Sequence, residues 1–133
     1  MSNLEFPSDR RYTKDHEWAR KDGKEIVVGV SGFAVEQLGD ITLVNVDVKV
    51  GDAVVEGKAF GTIESVKTLS DLFAPVSGTI ARINDVLADR PELVNEDPHG
   101  KAWMVAITAS KPAEFDALMD QAAYAKHVKE SAH

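Results

Sequence analysis

One lysine stands out for its setting, in the run Gly61-Thr62-Ile63-Glu64-Ser65-Val66-Lys67-Thr68-Leu69-Ser70-Asp71-Leu72-Phe73-Ala74-Pro75-Val76-Ser77-Gly78. Lys67 lies between two β-prone segments, with Gly51 and Gly78 as flanking turn residues that let the chain double back. An ε-amine projecting from a rigid hairpin is open to acylation by a ligase, and a group tethered there could sweep freely. The local signal is weak on its own, because Val66-Lys67 is not a favoured two-residue hairpin turn. On composition alone Lys67 reads as an ordinary surface lysine.

Other chemistry is harder to find. His16-Glu17 is followed by Trp18 but by no second histidine at the spacing of a metalloprotease helix. His99, His127 and His133 lack the carboxylate spacing of a zinc or iron site. Gly29-Val30-Ser31-Gly32 is neither a phosphate-binding loop nor a nucleophile elbow, and reads as a strand-to-helix turn. No nucleophile is assembled with a base, which argues against an autonomous enzyme.

The elements that would position Lys67 are short and β-rich. Lys21-Asp22-Gly23-Lys24 is a hairpin turn with Asp-Gly at its centre, and a buried strand follows over residues 25–30. Residues 31–39 read as a short helix with Ser31 as N-cap and Gly39 as its stop. Residues 41–46, 60–65 and 71–74 are strands, and Pro75 then limits pairing. Gly78 is expected to break the segment 76–83, and Asn84-Asp85 to cap a helical turn through Leu87. Residues 103–108 form a last strand. Phe115, Leu118, Met119, Ala122 and Ala125 then recur at helical spacing after Lys111-Pro112, giving one C-terminal helix with an apolar face. The expectation is a mainly β sandwich or barrel carrying a docked helix.

Composition fits that architecture. The chain has 133 residues, 44% hydrophobic and 28% charged, in the range of a globular domain. Its 22 acidic against 15 basic residues give a net charge of −7, unsuited to nucleic-acid phosphates and suited to partners with basic patches. There is no cysteine, so disulfides and thiolate metal sites are excluded. No apolar run approaches the roughly 20 residues that span a bilayer. The opening residues 1–11 lack the apolar core of a secretory signal. The expected location is the cytoplasm.

The run ESVKTLSDLFAPVSG resembles the lipoylation hairpin of glycine cleavage H proteins. Three further strings similar to that family stand in its order: YTKDHEW over residues 12–18, QLGDI over 37–41 and PELVNEDPHGKAW over 91–103. The resemblance covers roughly Tyr12 to Tyr124. One departure is the helix string Ser31-Gly32-Phe33-Ala34-Val35, where the commoner type is Thr-Asp-His-Ala-Gln. That departure bears on contacts near the arm and not on Lys67.

The resemblance implies a lipoyl-domain-like barrel-sandwich hybrid with short helices and a C-terminal helix. Residues 1–11 read as a flexible lead-in, and the resemblance implies a single lipoyl-carrier domain over 12–133. Lys67 would bear (R)-lipoic acid in amide linkage, an arm reaching roughly 15 Å at ordinary bond lengths. The implied role is non-catalytic carriage of the aminomethyl group of glycine. A pyridoxal-phosphate (PLP) glycine decarboxylase would load it and a tetrahydrofolate-dependent aminomethyltransferase would unload it. An FAD-containing dihydrolipoyl dehydrogenase would reoxidise the arm, and a lipoyl or octanoyl transferase or ligase would attach it. A monomer is the default expectation. Glu17 and Asp71 are the candidates for a groove that shelters the cationic loaded arm. Glu64 and Ser65 are candidates for ligase recognition, or else plain strand residues. Trp18 and Trp103 read as core or groove wall.

Related readings compete. A 2-oxoacid dehydrogenase lipoyl domain usually has Asp before the lysine, where Val66 stands, and a biotin carrier has flanking methionines. An H-like relay that donates lipoyl groups to other lipoyl domains would share these features. A cofactor-free interaction module is the alternative from another class.

Overall fold

The computed structural model describes residues 6–131. Nine strands occur among them: Arg11–Tyr12 (β1), Glu17–Asp22 (β2), Glu25–Val30 (β3), Ile41–Val46 (β4), Ala53–Val54 (β5), Ala59–Ser65 (β6), Leu69–Phe73 (β7), Gly78–Ile83 (β8) and Val105–Ala109 (β9). Five short helices join them: Gly32–Leu38 (α1), Val86–Asp89 (α2), Leu93–Glu96 (α3), Pro112–Asp116 (α4) and Gln121–Ser131 (α5). The strands form a six-stranded sheet in the order β1-β2-β3-β9-β8-β5 and a three-stranded sheet in the order β4-β6-β7. All pairings are antiparallel. The fold is therefore mainly β, in two sheets with small helices and a C-terminal helix.

Between the sheets lies an aliphatic core. Ile26, Val28 and Val30 of β3 meet Ile63 of β6, Leu72 of β7, Ile80 of β8 and Ile107 of β9 there, all buried. Each such side chain contributes about 1.5–3 kcal/mol relative to exposure. Val27 belongs instead to a second cluster with Phe6, Tyr12, Trp18, Phe33 and Tyr124. β3 is thus covered on both faces, which explains its nearly unbroken apolar sequence. Gly29 is required inside it: a Cβ there would lie 2.5 Å from Cζ2 of Trp18, its cross-strand partner.

Helix α1 begins and ends as expected. The Ser31 Oγ accepts the Ala34 N–H, and the Gly39 N–H returns to the Val35 carbonyl. Other expectations need correction. The β2–β3 turn has Gly23-Lys24 at its centre, since Asp22 already pairs with Glu25. Gly23 takes positive φ at the first turn position and Lys24 does not, the pattern of a type II′ hairpin. Gly78 opens β8 rather than breaking it, paired with Val54 and Ala109. Asp85 precedes α2 without a side-chain cap, and the Asn84 amide bonds the Lys101 and Trp103 carbonyls instead.

The C-terminal segment is two helices, not one. Tyr12 and Met119 exchange backbone hydrogen bonds of 2.8 and 3.0 Å, which stops helical pairing between α4 and α5. Ala122 and Ala125 are exposed, while Tyr124 is fully buried in the aromatic cluster. Of the lead-in, residues 1–5 lie outside the described residues; Phe6 is buried. His133 also lies outside them.

Candidate functional site

Strands β6 and β7 carry Lys67 to a tight tip. Glu64 pairs with Leu69, and the Ser65 N–H donates to the Thr68 carbonyl at 2.8 Å. Val66 and Lys67 are therefore the two turn residues. Neither has positive φ, so the mirror-image turns that usually close such hairpins are not in use. Side-chain and tertiary bonds hold the tip in their place. The Ser65 Oγ accepts the N–H groups of both Lys67 and Thr68 at 3.2 Å, a local turn-forming role that serine hydroxyls often take. From the link between α1 and β4, the Asp40 carbonyl accepts the Val66 N–H at 3.0 Å.

Lys67 is exposed, and its stem crosses Gly39. A Cβ on Gly39 would stand 3.4 Å from Cε and 3.8 Å from Cδ of Lys67, and Gly39 also has φ +83°. Glycine here meets both demands, a left-handed backbone and room for the lysine. Around the tip the outward face carries apolar side chains: Val66 is 68% exposed, Leu69 62% and Leu43 44%. Leu43, Glu64 and Leu69 form one cross-strand row, with Asp71 exposed farther along β7.

The remaining candidates have different settings. Glu64 is exposed, whereas Ser65 is buried beneath the turn. Glu17 is buried at 2% exposure. Its carboxylate accepts the Thr13 hydroxyl at 2.6 Å and the Phe73 N–H at 3.2 Å. Burial pushes its pKa up to about 7, against the lowering effect of those two hydrogen bonds. Phe73 lies two residues past Asp71, so Glu17 reaches the strand that bears Asp71 through its backbone. Trp18 is core, with its indole N–H donating to the Pro98 carbonyl at 2.9 Å. Trp103 is half-buried under the Arg82 guanidinium. Among the described residues no group of three or more His, Asp or Glu is placed to hold a metal ion, and no helix is long and apolar enough to cross a membrane.

Gly39 and the Asp40 carbonyl were not legible as parts of this site. Gly39 announces itself in sequence as a helix stop, and a backbone carbonyl leaves no mark on residue type. What the geometry offers is an exposed primary amine on a braced turn, with a bare glycine under its stem.

Comparison with known proteins shows the family. The family described as glycine cleavage H-protein matches residues 10–131. A glycine cleavage system H protein from Anaeromyxobacter sp. (strain K) is 50% identical over 127 residues, 96% of this chain and 98% of the relative. One from Symbiobacterium thermophilum is 44% identical over 130 residues, 98% and 99% of the two chains. Among solved structures, a glycine cleavage system H protein from Mycobacterium marinum superposes with a TM-score of 0.82 at 33% identity, covering 96% of this chain and all of that one.

Proposed function

The chain belongs to the glycine cleavage H-protein family, whose members are lipoate carriers and not themselves catalytic, and from that premise we propose that Lys67 is the residue that bears the lipoyl group. The observation that carries this assignment is the braced tip: an exposed ε-amine on a turn held by the Ser65 hydroxyl and the Asp40 carbonyl. The side chains around it fit such a group. Gly39 leaves space along the lysine stem, and Val66, Leu69 and Leu43 offer apolar surface beside it.

When bound, the lipoyl arm supplies a dithiolane that accepts the aminomethyl group of glycine and gives it up again. The chain itself supplies place and presentation. A rigid tip raises the effective concentration of the arm at each partner's site without any chemistry of its own. Partners come from the glycine cleavage system, namely the PLP decarboxylase, the tetrahydrofolate-dependent aminomethyltransferase and the FAD dehydrogenase. A lipoyl or octanoyl transferase or ligase completes the set, and all would act in the cytoplasm. Glu64, exposed across from Leu69, is available to the attaching enzyme. Ser65 acts on the same enzyme indirectly, by fixing how Lys67 is presented. Asp71 offers a carboxylate to the cationic end of the loaded arm, and Glu17 braces the backbone of the strand that carries Asp71.

Intact-mass measurement of protein from lipoate-fed cells tests the attachment. One lipoyl adduct is expected, absent in Lys67→Arg. An adduct that persists in that variant would place the group elsewhere.

A further inference from the structure

Asn95, on helix α3, is remote in sequence from the lysine hairpin and was assigned nothing by residue type. Its side-chain amide reaches the link between α1 and β4. Oδ1 accepts the Ile41 N–H at 2.8 Å, and Nδ2 donates to the Gly39 carbonyl at 3.0 Å. One donor and one acceptor face one acceptor and one donor, so the amide has a single orientation that satisfies both groups. Between these two clamped residues sits Asp40, whose carbonyl takes the Val66 N–H. Gly39 itself underlies the Lys67 stem. Ile41 also pairs with Ser65, the residue whose hydroxyl holds the turn. Every tertiary bond described above for the tip therefore runs into the three residues that Asn95 fixes.

We propose that Asn95 is a positioning residue for Lys67, setting where the modified amine stands by clamping the 39–41 link beneath it. This rests on the reading of Lys67 as the lipoyl site. An acyl-transfer enzyme needs the amine within a narrow range of approach, and a tip free to rock would spend less time there. Asn95 touches neither the ε-amine nor the arm, so its effect is on presentation alone. Asn95→Ala removes both bonds. Asn95→Asp keeps the acceptor for Ile41 but sets an oxygen against the Gly39 carbonyl, isolating the other half of the clamp.

The test uses the full chain in its unmodified form, with amide hydrogen exchange followed by NMR and lipoylation followed with lipoate, ATP and a purified lipoate ligase. In Asn95→Ala the Val66 N–H should exchange roughly tenfold faster, the loss expected for one good hydrogen bond. The β3–β9 amides should keep their wild-type rates. The ligase kcat/KM should fall by about threefold to tenfold, and Asn95→Asp should change both readouts in the same direction. Unchanged Val66 exchange would overturn the proposal, as would faster exchange with wild-type ligase kinetics. Acceleration throughout β3 and β9 in both variants would also overturn it, since Asn95 would then support the whole fold. Wild-type protein that the ligase never modifies would sink the carrier reading and the role given to Asn95, while the Val66 amide would still report whether the clamp exists.

Discussion

Glu17 and His16 are neighbours whose titrations act on stability with opposite sign. Burial raises the Glu17 pKa from 4.5 to about 7, so the folded chain binds this proton more tightly than the unfolded one. Its contribution is fully present below pH 4.5 and is lost as pH rises through 7. Burial, helped by the charge of His127, lowers the His16 pKa below 6.5. Here the unfolded chain binds the proton more tightly, and stability is lost as pH falls from 6.5 through the folded value. Glu17→Gln separates the two. As pH rises from 4.5 through 7, the gap between its unfolding free energy and that of wild type should shift in the variant's favour by about 1–3 kcal/mol. Urea titrations at a series of pH values read this directly, and a gap independent of pH would contradict it. Asp71 is exposed, so its value to a loaded arm is that of a surface ion pair. Asp71→Ala should shorten the half-life of the carried aminomethyl group roughly twofold to fivefold. An unchanged half-life, measured as loss of the adduct mass, would remove Asp71 from the groove.

At the scale of elements, periodicity revealed most of what it could. The runs 25–30 and 41–46 are rich in β-branched residues and 31–39 carries its own cap and stop, and they fold where local chemistry places them. The C-terminal segment shows how that reading fails. Alanines at 122 and 125 complete a helical period but bury little surface. The decisive side chain is Tyr124, which stacks on Tyr12 with ring centroids 4.4 Å apart and hydrogen-bonds Ser31 at 2.6 Å. Those contacts, like the Tyr12–Met119 bridge that splits the helix, join residues more than 90 apart in sequence, and no local pattern encodes them. The hairpin tip is the same kind of case. Val66-Lys67 is a poor turn by residue type, and it closes because Ser65 and Asp40 hold it. The lysine was legible through its resemblance to the family string; the bonds that brace it are tertiary and were not. β5, α3 and β1 are too short for any period to show.

Seen as a whole molecule, one end of the three-stranded sheet carries three exposed large hydrophobic side chains, while Val50, Val55 and Val86 are exposed on other parts of the chain. Val66, Leu69 and Leu43 lie exposed beside Lys67, with Glu64 and Asp71 on the same strands, on a chain of net charge −7. On the proposed function, a partner enzyme admitting this tip would meet apolar side chains with carboxylates around them, and basic residues at the mouth of its cleft would speed the encounter. The two sheets share one aliphatic core, and the aromatic cluster fastens α1 and α5 to the six-stranded sheet. The most direct test of this arrangement is to incubate the lipoylated protein with glycine decarboxylase and glycine carrying carbon-13 at its methylene carbon, then map the label by peptide mass spectrometry. The label should appear on the peptide containing Lys67 and on no other, and Lys67→Arg should take up none. A lipoylated Lys67 that stays unlabelled, or a label retained by the variant, would contradict the assignment of this hairpin as the point of carriage.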